Sequence, residues 1–269
     1  MKKLIHGIAR IFYILLKTIG YSAYFLSAVG FVCVLVPLIV LLGIFPAAQY
    51  RFTRTTFAGF LFFLTRLLLP MLQVYAITEI SGFEPKLSRG GIFISNHRGR
   101  LDALLLLSIL KNTGVLIKSK YARFPLYRMF IKYLDFVAID ADSPAGFGAA
   151  MGQCIQLLQA GVNILVFPEG TRASSGRLLP FKPFVFKLAI DSGRPVFPVI
   201  IHSDCPFMAK RPGSIFPKIT FHYTVRCLQA MHPVTAERPM DFAGRVRTRI
   251  AAELAPLDHG TVWEKGTIT

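Results

Sequence analysis

The sequence predicts an α/β fold, a mixed, largely parallel sheet flanked by helices, with an N-terminal membrane-embedded helical segment. Hydrophobic residues make up 53% of the 269 residues, and the excess is concentrated near the N-terminus. After about residue 80, short apolar runs alternate with longer amphipathic ones, a pattern typical of strands alternating with helices. We therefore predict membrane-anchoring helices over residues 1–80, an α/β domain over residues 81–257 and a tail over residues 258–269.

The N-terminal apolar stretch is longer than one membrane crossing needs. Residues 18–50 contain no charged residue, and a helix of that length would measure about 50 Å against a hydrocarbon core of about 30 Å. The stretch predicts either one tilted span with a tail or two helices broken near Pro37 or Pro46. Basic residues flank it on both sides, Lys17 and Arg51 among them. This favours a hairpin with both ends on the cytoplasmic side.

A second apolar segment, Phe57 to Leu69, has its leucines and phenylalanines at helical spacing and is interrupted by Arg66. It predicts a helix at the membrane interface, with the guanidinium reaching the headgroups. A core helix is the alternative.

The formal net charge of +17 points to anionic partners. Anionic lipid headgroups, phosphate-bearing substrates and an acidic carrier protein all fit. Nucleic acid is disfavoured, because the Lys and Arg residues are scattered and no recognition motif is present. The four cysteines lie far apart with no C-x-x-C pair. This pattern indicates neither a disulfide framework nor a zinc site, and it favours a reduced cytoplasmic setting.

The predicted elements alternate along the second half of the chain. The predicted strands are Gly91–Ser95, Val115–Lys118, Phe136–Ile139, Asn163–Phe167, Val196–Ile201 and Ile219–Val225. The predicted helices are Leu101–Lys111, Leu126–Leu134, Phe147–Ala160, Phe184–Asp191 and Phe242–Leu254. In such sheets, functional sites lie where strands end and helices begin.

Residues 93–102 read FISNHRGRLD and place a histidine and an aspartate five positions apart. His97 follows a predicted buried strand, Asp102 lies in the first turn of the next helix, and Gly99 lets the chain bend between them. A histidine held by a carboxylate is suited to general-base catalysis at neutral pH. The alternative is local: Asp102 caps the helix or complements its dipole, and His97 is a polar strand-end residue.

Residues 167–172 read FPEGTR and begin at the last residue of the apolar run NILVF. The proline and glycine predict a turn that leaves backbone N–H groups free. Thr171 then offers a hydroxyl and Arg172 a guanidinium, a combination that suits a phosphate oxyanion. The alternative is a sharp surface loop in which Glu169 pairs with Arg172.

The motif NHxxxxD, followed some seventy residues later by FPEGTR, resembles the glycerolipid acyltransferase family, whose best-known members are bacterial lysophosphatidic acid acyltransferases. The resemblance covers roughly residues 85–205. The stretch around Lys118 and Pro125 is similar to the family's second motif, and the apolar VFPV run at residues 196–199 is similar to its fourth. Family members sit monotopically in the cytoplasmic leaflet, which matches the N-terminal apolar helices.

The resemblance implies a membrane-associated acyltransferase that moves a fatty acyl chain from acyl-ACP or acyl-CoA to the hydroxyl of a lysophospholipid. The expected acceptor is 1-acyl-glycerol-3-phosphate, and the product is phosphatidic acid. It implies His97 as the base, Asp102 as its orienting partner and the inner membrane as the location, with the catalytic domain facing the cytoplasm. Beyond the thioester co-substrate, no cofactor or metal is expected. The expected substrate contacts are Glu169, Gly170, Thr171, Arg172, Lys118, Lys120, Arg98 and Arg100.

The chain departs from the family pattern in its cations. A glutamate, a glycine and an arginine usual in the family are replaced by Lys120, Arg128 and, approximately, Ala141. Arg98 and Arg100 stand inside the first motif, where polar or aromatic residues are more common. Three interpretations are open: these cations replace the lost arginine around the same phosphate, they serve a different anionic acceptor, or they contact the membrane surface.

Three alternatives to the expected function follow. The acceptor is another lysophospholipid, or it is a lyso-aminolipid such as lyso-ornithine lipid. The third alternative, from a different class, is a non-catalytic membrane lipid-binding protein that retains the fold.

Overall fold

The computed structural model describes residues 2–42, 45–83, 90–140, 143–173, 177–205 and 220–261. The α-helices are α1 Lys2–Leu41, α2 Pro46–Phe62, α3 Leu69–Met71, α4 Leu101–Ile109, α5 Pro125–Tyr133, α6 Pro144–Gln159, α7 Phe184–Ser192 and α8 Pro239–Asp258. A π-helical segment, Phe63–Leu68, joins α2 to α3, and a 3-10 helix, Ser119–Arg123, precedes α5. The strands are β1 Tyr75–Ser81, β2 Ile92–Ser95, β3 Thr113–Lys118, β4 Val137–Ile139, β5 Asn163–Val166, β6 Val196–Ser203 and β7 Phe221–Cys227.

The strands form a seven-stranded sheet in the order β1-β7-β6-β2-β5-β3-β4. The neighbours from β6 to β4 are parallel, whereas β7 is antiparallel to β6 and carries β1 parallel to itself. This confirms the predicted mixed, largely parallel sheet. The sequence prediction missed β1, which lies almost wholly inside residues 1–80. Six of its seven residues pair with a strand more than a hundred residues later, Tyr75 opposite Phe221, so no local pattern marks it.

The sheet separates two hydrophobic cores. Side chains alternate between faces along a strand, so Phe93 packs with one core while Ile92 and Ile94 pack with the other. The first core also takes in α4 and the segment following α2, through Leu64, Leu69 and the leucines of α4. The second holds the buried stripes of α6, α7 and α8. Burial on both faces holds the central strands rigidly, which fixes the positions of their carboxyl ends.

The N-terminal apolar stretch is two helices. The break precedes Pro46, as predicted for one of the two prolines, whereas Pro37 lies inside α1. Residues 11–39 and 47–71 are each apolar and long enough to cross a membrane. On α1, Phe12 and Leu26 are 66% and 69% exposed. Apolar side chains left in contact with solvent to this extent indicate membrane association.

Both N-terminal helices also contact the α/β domain. The Tyr13 hydroxyl of α1 lies 2.9 Å from Oγ1 of Thr220. On α2, Arg54 forms an ion pair with Asp135 and donates to Oδ1 of Asn112 at 2.7 Å. The helices are therefore seated against the domain that follows them.

The second apolar segment has two apolar faces. Leu64 and Leu69 are buried in the first core, whereas Phe62 and Phe63 are each 48% exposed. Arg66 is half-buried, with its guanidinium 5.9 Å from the centre of the Phe62 ring. The core interpretation describes one face of this segment, and the interface interpretation stays a prediction for the exposed face.

The C-terminal helix is longer than predicted. The expected helix ends at Leu254, but α8 continues through Asp258, a residue assigned by the sequence to the tail. Residues 262–269 lie outside the described part of the chain.

Candidate active site

The candidate site lies at the edge of the sheet where parallel strands end. Because β2, β5, β3 and β6 run in one direction, their carboxyl ends meet at one edge. His97 follows β2, Glu169 and Arg172 follow β5, and Lys118 is the last residue of β3. Carboxyl ends of strands in open α/β sheets are the usual place for a ligand.

His97 and Asp102 form the pair that the sequence predicted. The Nδ1 atom of His97 lies 3.0 Å from Oδ2 of Asp102. Asp102 is 2% exposed, whereas the His97 side chain keeps some exposure. A buried carboxylate accepts a hydrogen bond from Nδ1–H, so it fixes the neutral imidazole in the tautomer that leaves Nε2 as a base.

Asp102 does not cap α4. The N-cap residue of that helix is Arg100, and no side chain caps it. Instead Oδ2 of Asp102 accepts hydrogen bonds of 2.7 Å from the backbone N–H groups of Arg98 and Gly99. The loop between histidine and aspartate thus folds around the carboxylate. Asp102 also lies in the first turn of α4, where a carboxylate complements the helix dipole, so the catalytic interpretation of the pair stays a prediction.

The two motif loops are bonded to each other. The backbone N–H of His97 donates to Oε1 of Glu169 at 2.9 Å, and the N–H of Ala173 donates to the carbonyl of His97 at 2.8 Å. The imidazole also stacks on Phe167, with ring centres 4.2 Å apart. The histidine is therefore held through its main chain and its ring as well as through Nδ1.

Glu169 joins the loops. It is 5% exposed, and its second oxygen, Oε2, accepts from the N–H of Leu179 at 2.9 Å. Burial raises the pKa of this carboxyl, although the hydrogen bonds from Leu179 and His97 oppose the rise. This position differs from the predicted acceptor contact, since both oxygens bind backbone amides of the protein.

Gly170 turns the chain after β5. Its φ is +65°, and a Cβ placed there would lie 3.0 Å from Cε of Lys182. Glycine fits this position, because φ is positive and a Cβ would be crowded by the Lys182 side chain. Thr171 and Arg172 follow this turn, as the motif predicts.

Arg172 lies in a cationic environment beside the catalytic pair. Burial lowers the pKa of its guanidinium, and the charge of Arg100 lowers it further, while Tyr121 and Asp102 act in the opposite sense. Two neighbouring guanidinium groups repel each other unless an anion lies between them. Arg100, Lys118 and Lys120 are exposed at the same edge, and the ammonium of Lys120 lies 5.5 Å from the centre of the Tyr121 ring.

Arg98 occupies a different place from the one predicted. Its side chain is 5% exposed and donates two hydrogen bonds, of 2.7 and 2.6 Å, to the carboxylate of Asp258. Nδ1 of His202 lies 3.0 Å from the same carboxylate. The guanidinium expected at the acceptor thus bonds to the C-terminal helix, while Arg100 remains exposed near Arg172.

Sequence reasoning missed three residues around the pair. Phe167 supports the imidazole, and Asn96 exchanges two hydrogen bonds, of 2.8 and 2.9 Å, with the backbone of Ile201. Asp258 was placed in the tail. The sequence could have placed Asp258 in the helix, because it stands four residues after Leu254 and so lies on the same face of α8 as the buried residues.

Comparisons with known proteins show that the chain is similar to acyltransferases. Residues 77–202 match the family model described as Acyltransferase. The chain is 30% identical over 126 residues to a chloroplastic 1-acyl-sn-glycerol-3-phosphate acyltransferase of Brassica napus, covering 46% of this chain and 37% of that protein. It is 28% identical over 193 residues to the human 1-acyl-sn-glycerol-3-phosphate acyltransferase alpha, covering 62% and 68%.

One solved structure shares the fold over most of both chains. The crystal structure of the 1-acyl-sn-glycerophosphate acyltransferase PlsC from Thermotoga maritima superposes with a TM-score of 0.70. The two chains are 19% identical, and the match covers 93% of this chain and 98% of that one. At that identity the likeness concerns the fold. The chain spans less than half the length of the first plant relatives it matches, 37% and 44%.

Proposed function

We propose that this chain is a membrane-associated O-acyltransferase, because residues 77–202 match the family model described as Acyltransferase. It transfers a fatty acyl group from a thioester to the free hydroxyl of a lysophospholipid, with 1-acyl-glycerol-3-phosphate as the acceptor and phosphatidic acid as the product. The named relatives act on that acceptor by their titles. The observation that carries the proposal is the His97–Asp102 pair, held by three hydrogen bonds to one carboxylate oxygen.

The pair supplies a base for a very weakly acidic alcohol. Nε2 of His97 takes the proton of the acceptor hydroxyl as the oxygen attacks the thioester carbonyl carbon. Asp102 stabilises the imidazolium that forms. The tetrahedral intermediate then collapses, the C–S bond breaks, and the thiol leaves with the proton returned by His97. A thioester is already activated, so no acyl-enzyme is required.

The acceptor phosphate is assigned to the cations at the same sheet edge. The charge of Arg100 lowers the pKa of Arg172, while that of Asp102 raises it, and a phosphomonoester bound by both arginines relieves the repulsion between their charges. Thr171 follows the Gly170 turn next to Arg172, where its hydroxyl can donate to a phosphate oxygen. Lys118 and Lys120 border this region from β3 and the 3-10 helix.

The membrane placement follows from the first two helices. Their exposed apolar faces support a lipid-embedded anchor. The ion pair between Arg54 of α2 and Asp135 supports the packing of α2 against the catalytic domain. A hairpin that enters one leaflet satisfies both observations better than a helix that crosses away from the domain. We assign the protein to the inner membrane, with the catalytic domain facing the cytoplasm.

The net charge of +17 bears on the donor. A basic surface attracts the acidic acyl carrier protein by long-range electrostatics. Acyl-CoA, which carries its own phosphates, is the other donor.

A second acceptor class is favoured by one observation. Lys120 and Arg128 are exposed cations where the family usually has a glutamate and a glycine, and Ala141, near the position of the usual arginine, lies outside the described residues. A lyso-lipid with a different anionic group, such as a lyso-aminolipid, fits this altered set of cations.

The test is acyl transfer by the purified full chain in lipid nanodiscs. Lysophosphatidic acid, other lysophospholipids and a lyso-aminolipid are each offered with acyl-ACP and with acyl-CoA. Faster transfer to lysophosphatidic acid than to every other acceptor supports the proposal. Equal or faster transfer to another lyso-lipid moves the assignment to the second class, and no transfer to any acceptor overturns the enzyme assignment.

A further inference from the structure

Asp258, the last residue of α8, is bonded to the loop that carries the catalytic pair. Both oxygens of its carboxylate accept from the guanidinium of Arg98, which stands next to His97 in the chain. The side chains of Arg98 and Asp258 are 5% and 19% exposed. A bidentate arginine–carboxylate pair shielded from water has a fixed geometry, because two parallel hydrogen bonds set both distance and angle.

Arg98 acts on the catalytic carboxylate through its own backbone. Its N–H donates a 2.7 Å hydrogen bond to Oδ2 of Asp102, the oxygen that lies 3.0 Å from Nδ1 of His97. A shift of the Arg98 side chain therefore moves the amide that orients Asp102. The chain of contacts runs from Asp258 through Arg98 to Asp102 and His97.

His202 adds a second attachment. It lies near the end of β6, is 7% exposed, and places Nδ1 3.0 Å from Oδ1 of Asp258. In the preceding position, Ile201 exchanges two backbone hydrogen bonds with the side chain of Asn96. The end of β6, the loop after β2 and the end of α8 thus meet at one half-buried carboxylate.

The helix itself is firmly anchored. Its buried face, Phe242, Ala243, Val246, Ile250 and Leu254, packs into the second core. Asp258 continues that face by one helical turn. Burial works against ionisation of this carboxyl, but the hydrogen bonds from Arg98 and His202 outweigh it and lower the pKa of Asp258.

We propose that Asp258 is a positioning residue for acyl transfer. By holding the side chain of Arg98, it keeps the backbone N–H groups of the loop bonded to Asp102, and so keeps Asp102 hydrogen-bonded to His97. The inference rests on the proposed function, since it concerns the same catalytic pair. It gives the C-terminal helix a role in the active site without a contact to substrate.

The first experiment compares Asp258→Asn with Glu237→Gln. Glu237 is a matched control, because it accepts two hydrogen bonds from Arg245 of the same helix, each of 2.7 Å, away from the catalytic loop. We expect Asp258→Asn to lower kcat roughly tenfold with the acceptor KM unchanged, since small misplacements of reacting groups are costly. Glu237→Gln should keep the wild-type kcat. A wild-type kcat in folded Asp258→Asn, or an equal loss in both variants, would overturn the proposal.

A double-mutant cycle separates positioning from general destabilisation. If Asp258 acts through Arg98, then Arg98→Met, Asp258→Asn and the double variant should lose similar amounts of kcat, because all three break one path. Losses that multiply in the double variant contradict the proposal.

A measurement without substrate keeps this inference distinct from the proposed function. Hydrogen–deuterium exchange at the amides of Arg98 and Gly99 measures how often their hydrogen bonds to Asp102 open. Asp258→Asn should speed exchange there, and Glu237→Gln should not. If exchange rises as expected but wild type transfers no acyl group, the structural coupling stands and the proposed function fails. If the exchange rate at these two amides is unchanged in Asp258→Asn, the positioning role is wrong, whatever the acyl-transfer activity of the variant.

Discussion

The backbone N–H of His97 donates a 2.9 Å hydrogen bond to Oε1 of Glu169, a residue 72 positions later in the chain. One bond thus joins the histidine motif to the FPEGTR motif. The same carboxylate binds the N–H of Leu179 through its other oxygen. The two motifs are therefore parts of one buried polar structure in which the glutamate supports the catalytic loop.

Removal of the imidazole tests the base directly. His97→Ala should lower kcat by roughly 10²- to 10⁴-fold or more, because the acceptor hydroxyl loses its proton acceptor. Membrane association, measured by flotation with liposomes, should match wild type, since His97 lies outside the apolar helices. Substantial residual transfer at saturating substrates would remove His97 from the base role.

Asp102→Asn should remove the negative charge that stabilises the imidazolium of His97. Oδ2 of Asp102 faces Nδ1 of His97 and also accepts from the backbone N–H groups of Arg98 and Gly99, so the asparagine oxygen takes this place, and it is neutral. We expect kcat to fall by about 10²- to 10⁴-fold. Steady-state kinetics and a thermal melt measure the effect, and a variant that melts with wild type yet keeps full kcat contradicts the assignment.

Glu169→Gln should destabilise the protein and lower activity together. In the wild type, each oxygen of the carboxylate accepts a hydrogen bond from one backbone N–H. The new N–H₂ group faces one of these two N–H groups, so one buried donor loses its acceptor at a cost of about 1–3 kcal/mol. The thermal midpoint in detergent should fall accordingly. An unchanged midpoint would show that the bonds between the loops contribute little.

The raised pKa of Glu169 also predicts how stability depends on pH. Above its ordinary value of 4.5, the unfolded chain has released the proton that the folded protein still binds. The free energy of unfolding therefore decreases as pH rises through that window, until the folded carboxyl has ionised. Glu169→Gln lacks this titration, so thermal midpoints of the two proteins measured across the window should converge as pH rises. Parallel profiles would contradict the predicted shift.

Arg172 and Arg100 should matter most for acceptors that carry a phosphomonoester. Loss of a charge-assisted hydrogen bond costs about 1.5–3 kcal/mol, roughly a 10- to 150-fold loss in kcat/KM. Arg172→Gln and Arg100→Gln should therefore raise the KM for lysophosphatidic acid more than the KM for a zwitterionic lysophospholipid. Arg123→Gln, which removes an exposed cation of the 3-10 helix, serves as the control. Equal losses for both acceptors would assign the two arginines to another task.

Arg54 should stabilise the contact between α2 and the catalytic domain. Arg54→Leu leaves Asp135, whose side chain is 14% exposed, without its cation at a cost of about 1–3 kcal/mol. The thermal midpoint should fall, whereas Arg51→Leu, an exposed change on the same helix, should leave it near wild type. Equal midpoints for the two variants would show that the ion pair does not seat the helix.

The sequence by itself determined the elements and the chemical types at the site. Periodic apolar runs placed the predicted strands and helices within a few residues of their observed bounds, because side-chain burial repeats every two residues in strands and every 3.6 in helices. The motifs around His97 and FPEGTR also follow strands that the sequence marks clearly. β1 escaped because its partner is remote, and Pro37 gave no break because α1 continues through it.

Only the tertiary structure decided which polar groups bind one another. Arg98, Arg100 and Arg172 look alike in the sequence, yet Arg98 is buried against Asp258, whereas the charge of Arg100 lowers the pKa of Arg172. Glu169 likewise binds the amides of His97 and Leu179. Such partners are set by packing of elements far apart in the chain, and a charged side chain carries no local mark of the partner that will desolvate and bind it. The identity of a residue fixes what it can bond to, and the fold fixes which of those bonds is made.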